Sequence, residues 1–150
     1  MSFLSLKEVI DFAVEREETA YQLYKRAAQL TESPAARKMF EELAQEEATH
    51  KDVFSKVDPD KIAEVNVCKI PEATIGQYLK DVPLHPQMTY QEILTYTLKS
   101  EEGAYQLYKA AAGMTEDPRL QKTLLTFAEV ELGHRRKIEA LYDEHVLTEG

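Results

Sequence analysis

Two short runs of the sequence carry residue types that can do chemistry. AQEEATH (44–50) and AEVELGH (128–134) each set a Glu three residues before a His, Glu47/His50 and Glu131/His134. Residues three apart lie on one face of a helix, so each pair offers a carboxylate and an imidazole side by side. Mixed oxygen and imidazole donors suit iron or manganese, whereas an all-oxygen set favours calcium and thiolates favour zinc. One such pair is weak evidence in a Glu-rich chain, because solvated helix faces carry it by chance. Two pairs at equivalent places are stronger, although a duplication copies accidents too.

The places are equivalent because the chain repeats itself. EETAYQLYKRAAQLTESP (17–34) aligns with EEGAYQLYKAAAGMTEDP (101–118) at a shift of 84 residues, and residues 17–51 match residues 101–135 at 17 of 35 positions without a gap. Ser5-x-x-Glu8 and Thr89-x-x-Glu92 are capping boxes at the same shift. Each repeat reads as a helical hairpin. The first helix starts after Ser5 and runs to about Leu30; Ser33-Pro34 opens the second, which runs to about Val57. Thr89 caps the third, and Asp117-Pro118 opens a fourth that ends near Val146.

Apolar residues recur at steps of three and four in every helix, for example Phe40, Leu43 and Phe54, or Leu120, Leu124 and Phe127. The expected fold is therefore all-α: a single domain over 1–150, a four-helix bundle of two hairpins (about 5–57 and 89–146). Residues 58–88 are too long for a simple hairpin link, which needs ~2–8 residues. They read as a crossover along the bundle that makes the second and third helices parallel, and EATIGQYLKD within them reads as a short helix.

Polar residues interrupt the stripes. Glu17 fills the gap between Ala13 and Ala20, and Glu101 the gap between Thr97 and Ala104. Glu47 with His50, and Glu131 with His134, sit on the seams of the second and fourth helices. From Glu17 the chain runs 14 residues to Thr31 and returns 13 from Pro34 to Glu47. At about 1.5 Å per residue these reach the same height to within ~1.5 Å. The second repeat obeys the same arithmetic, so four Glu and two His are expected to meet at mid-bundle. No Lys or Arg is placed on the inner stripes to pair with them. Four buried carboxylates without counter-charge are strongly destabilising, and two divalent cations would balance them. The six residues form the di-metal carboxylate pattern of helical bundles.

Tyr24 and Tyr108 follow Glu17 and Glu101 by seven residues on the same face. They read as phenols that hydrogen-bond a ligand carboxylate, or else as ordinary core tyrosines. Tyr21 and Tyr105 read as packing residues. Glu18, Glu102, Glu46 and Glu129 are expected to point aside, and His85 and His145 are read as loop and helix-end residues.

A formal charge of −9 argues against a nucleic-acid partner, which needs basic patches. No run is apolar enough for a membrane span or a signal peptide, so the expected location is the cytoplasm. The single Cys68 excludes an internal disulfide and any C-x-x-C motif, and reads as a small apolar loop residue.

With Glu17, Glu47-x-x-His50, Glu101, Glu131-x-x-His134 and the E-x-x-A-x-x-x-Y run in both repeats, the sequence resembles the rubrerythrin branch of the ferritin-like superfamily. The resemblance covers about 1–57 and 89–146. It implies a ferritin-like bundle with two iron ions, manganese or a mixed pair being alternatives. The six residues would be the ligands, with Glu47 and Glu131 the bridges. It further implies a cytoplasmic homodimer that reduces hydrogen peroxide or reacts with dioxygen. Rubrerythrins proper carry a rubredoxin domain with two C-x-x-C motifs. This chain has none, so electrons would come from a separate donor such as a rubredoxin-type protein. The extra ligand Glu usual in the third helix is replaced by Ala104, which makes the set more symmetric and closer to bacterioferritin. Two other readings stay open: a ferroxidase or iron-storage subunit, and a non-enzymatic metal-stabilised bundle that binds partners.

Overall fold

Local capping sets where the helices begin. The computed structural model describes residues 5–57 and 85–149, with side chains through 145. Helix α1 spans Leu6–Leu30, α2 Pro34–Ser55, α3 Tyr90–Ala112 and α4 Pro118–Glu149. At the start of α1 the Glu8 amide donates to Ser5 Oγ at 3.1 Å and the Ser5 amide donates to Glu8 Oε1 at 3.1 Å. Thr89 and Glu92 repeat this reciprocal pair at 3.2 and 2.9 Å. Ser33 accepts from the Ala36 amide at the start of α2, one residue ahead of Pro34. Each cap satisfies amides that the helix cannot pair internally.

The hairpin turns are built alike. Arg37 Nε donates to the Ala28 carbonyl at 3.2 Å, and Gln121 Nε2, in the equivalent place, donates to the Ala112 carbonyl at 3.0 Å. Thr31 Oγ1 and Thr115 Oγ1 each accept from the amide two residues on. Two helix ends differ from the sequence reading: α2 stops at Ser55, short of Val57, and α4 continues past Val146 to Glu149.

Leu6 and Ile10 from the start of α1 pack with Phe54 from the end of α2, Tyr108 and Ala111 from the end of α3, and Leu120 and Leu124 from the start of α4. At the other end Ala27 and Tyr24 pack with Phe40, Ile93, Leu94 and Ile138. Helix α1 is therefore antiparallel to both α2 and α3, and α2 runs parallel to α3. The chain between Ser55 and Tyr90 joins opposite ends of a ferritin-like four-helix bundle. Residues 58–84 lie outside the described residues, and with them fall EATIGQYLKD and Cys68.

The hairpins meet chiefly through α1 and α3, while α2 and α4 approach each other less closely. Between the two apolar clusters lies a buried polar layer. Fully burying one large apolar side chain contributes about 1.5–3 kcal/mol. Clusters of this size on both sides can offset the several kcal/mol that each buried ion costs. Among the described residues no helix is long and apolar enough to cross a membrane.

Candidate metal centre

The layer holds all six residues singled out by their spacing. Glu17, Glu47, Glu101 and Glu131 are fully buried, and His50 and His134 nearly so. They form two overlapping groups, Glu17–Glu47–His50–Glu131 and Glu47–Glu101–Glu131–His134. Within each group, one donor atom per residue lies within 4.8 Å of the others. Glu47 and Glu131 belong to both. Nδ1 is the inward nitrogen of each His. His50 Nδ1 lies 2.9 Å from Glu131 Oε1, and His134 Nδ1 lies 3.0 Å from Glu47 Oε1 without hydrogen-bond alignment. Each imidazole thus reaches across to the Glu of the other Glu-x-x-His pair.

The tyrosines also cross between hairpins. Tyr24 Oη donates to Glu101 Oε1 at 2.6 Å, and Tyr108 Oη donates to Glu17 Oε1 at 2.5 Å. Burial, reinforced by the neighbouring carboxylates, pushes both phenols well above their ordinary pKa, so they remain O–H donors. Phe127 stacks on His50 with ring centroids 4.0 Å apart. Ala104 is buried in the apolar cluster and offers no donor.

The expectation that no cation lies on the inner stripes is overturned by Arg16. Its guanidinium is buried in the middle of the layer. Nη1 donates to Glu17 Oε1 at 3.0 Å, to Glu47 Oε2 at 2.8 Å and to Glu131 Oε2 at 2.7 Å; Nη2 donates to Glu101 Oε1 at 2.6 Å. Nε donates to Ser100 Oγ at 2.9 Å. Arg16 lies three residues after Ala13 and four before Ala20, on the edge of the stripe. Its counterpart at the repeat shift is the small Ser100. That large-for-small exchange is the signal in the sequence that sets Arg16 apart from its repeat partner. Glu46 is a second correction: it is half-exposed, yet it reaches inward and pairs with His134 Nε2. A partner on the remote nitrogen of an imidazole fixes which way the ring faces.

This cation changes the electrostatics. Burial raises the pKa of Glu17 and Glu101, but Arg16 together with the imidazole beside each, His50 for Glu17 and His134 for Glu101, outweighs it and holds both below the usual carboxylate range. Burial pushes Glu47 and Glu131 well above that range, with the charges of Glu101 and Glu17 adding to it and Arg16 opposing. Burial alone would lower the imidazoles. Contacts with Glu131 and Glu17 instead raise His50 to about 9, and contacts with Glu101 and Glu131 raise His134 to about 9. A metal-free layer therefore has its own counter-charges, and carboxylate burial alone does not demand a metal.

The donor set does fit one. Arg16 takes a single oxygen from each carboxylate. Glu17 Oε2, Glu47 Oε1, Glu101 Oε2 and His134 Nδ1 are left buried without a hydrogen-bond partner. An unpaired buried polar atom costs about 1–3 kcal/mol. Four of them converging beside a second imidazole form a ready set of oxygen and nitrogen ligands.

The family model for rubrerythrin matches residues 3–58 and 92–150, most of the chain. The chain belongs to the rubrerythrin family. The rubrerythrin match spans both hairpins. Three solved structures share the fold. A Thermotoga maritima protein described as ferritin-like and diiron-carboxylate is 19% identical with a TM-score of 0.73, covering 97% of this chain and 99% of that one. A hypothetical protein of Pyrococcus furiosus is 24% identical with a TM-score of 0.69, covering 93% and 89%. The bacterioferritin-related dodecameric thioferritin of Bacteroides fragilis is 21% identical with a TM-score of 0.60, covering 97% and 91%. No curated protein matches the sequence.

Proposed function

We propose that this rubrerythrin-family protein is a di-iron oxidoreductase that reduces hydrogen peroxide, with dioxygen as a second oxidant. The observation that carries this reading is the pair of overlapping donor groups sharing Glu47 and Glu131. In it, Glu17 with His50 and Glu101 with His134 complete one half-site each. Glu47 and Glu131 serve both. Glu17, Glu47, His50, Glu101, Glu131 and His134 would hold two irons, which in their reduced form would supply the two electrons that, with two protons, convert peroxide to two waters.

The chain's own part is positioning and exclusion. Tyr24 and Tyr108 hold Glu101 and Glu17 by one oxygen each, leaving the other turned inward. Glu46 and Phe127 fix the planes of His134 and His50. The apolar clusters close both ends of the layer to water. The less closely packed α2–α4 side is the approach for a small oxidant. In this reading electrons arrive from a donor such as a rubredoxin-type protein. A homodimer in the cytoplasm is the matching assembly and location, and manganese or a mixed pair would use the same ligands.

Peroxide consumption by the iron-loaded, reduced protein tests the reading. Turnover is expected to vanish in Glu47→Ala, and unchanged turnover would reject it. One observation favours a second reading, a ferroxidase or iron-storage subunit: a similar fold occurs in a dodecameric thioferritin. A dimer-sized particle in analytical ultracentrifugation counts against storage, and a large cage that mineralises iron counts for it.

A further inference from the structure

Arg16 is a permanent charge in a place where metal charge would otherwise go. A guanidinium stays protonated throughout the accessible pH range. Five of its contacts are described, and four go to the carboxylates of the layer, one oxygen from each. The opposite oxygens face the two imidazoles: Glu17 Oε2 lies 3.8 Å from His50 Nδ1, and Glu101 Oε2 lies 3.6 Å from His134 Nδ1. The layer therefore has two sides. One is held by Arg16 between α1 and α3. The other, toward α2 and α4, is where the unpaired donor atoms lie. Glu47 and Glu131, the residues common to both donor groups, each have one oxygen committed to Nη1.

We propose that Arg16 is a resident counter-ion that keeps the four carboxylates assembled without metal and makes the second divalent ion bind more weakly than the first. The inference rests on the metal-site reading above. Four carboxylates balance two divalent ions; with a guanidinium among them the formal charge runs from −3 (four carboxylates, one guanidinium) to −1 with one divalent ion and +1 with two, so only the second ion carries the layer past neutrality into an excess of positive charge. In a buried layer that excess is costly, because interactions between charges are weakly screened there. The oxygen that Glu47 and Glu131 give to Arg16 is also the one a second ion would need from a bridging carboxylate. Full loading therefore requires Arg16 to surrender those contacts. The repeat sharpens the point. Ser100, at the equivalent place in the other hairpin, has no charge and accepts from Arg16 Nε. The asymmetry is a property of one hairpin and not of the duplicated design.

Stepwise titration of the full-length metal-free protein with Mn2+, counting free ion by its electron paramagnetic resonance signal, tests this without any turnover. The wild type should bind one ion tightly and a second more weakly by on the order of tenfold or more. Arg16→Gln, which keeps a polar amide on a shorter stem but loses the charge, should close that gap. Arg16→Lys, which keeps the charge, should preserve it. If metal-free R16Q is unfolded, its folding by Mn2+ is followed by circular dichroism, and folding driven by two ions of similar affinity meets the expectation equally. Two equal sites in the wild type, or an unchanged gap in R16Q, would overturn the role of Arg16 while leaving the metal site standing. Absence of Mn2+ binding in all three proteins would overturn the metal-site reading and this inference with it.

Discussion

Arg16 Nε donates to Ser100 Oγ at 2.9 Å, and these two residues occupy the same position in the two halves of a duplicated chain. A long charged side chain in one repeat is accommodated by a small hydroxyl in the other. The contact ties α1 to α3 at the level of the carboxylates and aims the guanidinium fork at all four. Ser100→Ala removes the acceptor from a buried charged donor. Such bonds contribute about 1.5–3 kcal/mol, so the metal-free variant should lose stability on that scale in urea denaturation. Ser100→Thr, which retains the hydroxyl, should lose less.

Tyr24→Phe and Tyr108→Phe are matched probes. Each removes one O–H donor from one carboxylate at equivalent places, so each should destabilise the metal-free protein by about 1–3 kcal/mol. Loss of a partner that orients a ligand typically costs ~10–100-fold in metal affinity. Competition with a chromophoric chelator measures it. Equal affinity in both variants and the wild type would mean that the phenols serve packing alone.

The shared carboxylates should outrank the unshared ones. Glu47 and Glu131 belong to both donor groups, whereas Glu17 and Glu101 belong to one each. Glu47→Gln should therefore disturb both bound ions, while Glu17→Gln should leave one. Metal analysis after dialysis, with folding checked by circular dichroism, separates these outcomes.

Acidity sets two opposite trends. His50 and His134 are raised to about 9 in the metal-free layer, above the usual imidazole value near 6.5. Their contribution to stability is therefore fully present below about 6.5 and is lost as pH rises through about 9. Glu47 and Glu131 are also raised, so they too favour the folded state more at lower pH. Glu17 and Glu101 are lowered, and what they add is lost only as pH falls below the ordinary carboxylate range. The melting temperature of the metal-free protein should fall between pH 6.5 and 9. Metal affinity should rise over the same interval, because ligation must displace those protons. Calorimetry in buffers of different ionisation enthalpy counts the protons released; none released would contradict the histidine assignment.

Much of the fold was legible in the sequence because its signals are local. Capping at Ser5, Ser33 and Thr89 acts within a few residues, so helix starts follow from spacing alone. Helix ends are set by weaker, tertiary effects, and those of α2 and α4 fall a few residues from where periodicity puts them. The interior stripes, with their six Glu and His, also followed from spacing, since a helix converts sequence intervals of three and four directly into one face. The duplication fixed their common height.

The tertiary structure decided the rest, through residues whose partners are far away in sequence. Arg16 looks like a stripe-edge residue until Ser100 and four carboxylates surround it. Glu46 looks like a surface acid until α4 brings His134 against it. Tyr24 and Tyr108 could be placed on a face, but only the packing of α1 on α3 shows that each reaches the other hairpin. Periodicity determines which face a side chain takes. What a long, flexible side chain at the edge of that face touches depends on packing distances that no single helix contains, and the charge balance of this centre depends on that choice.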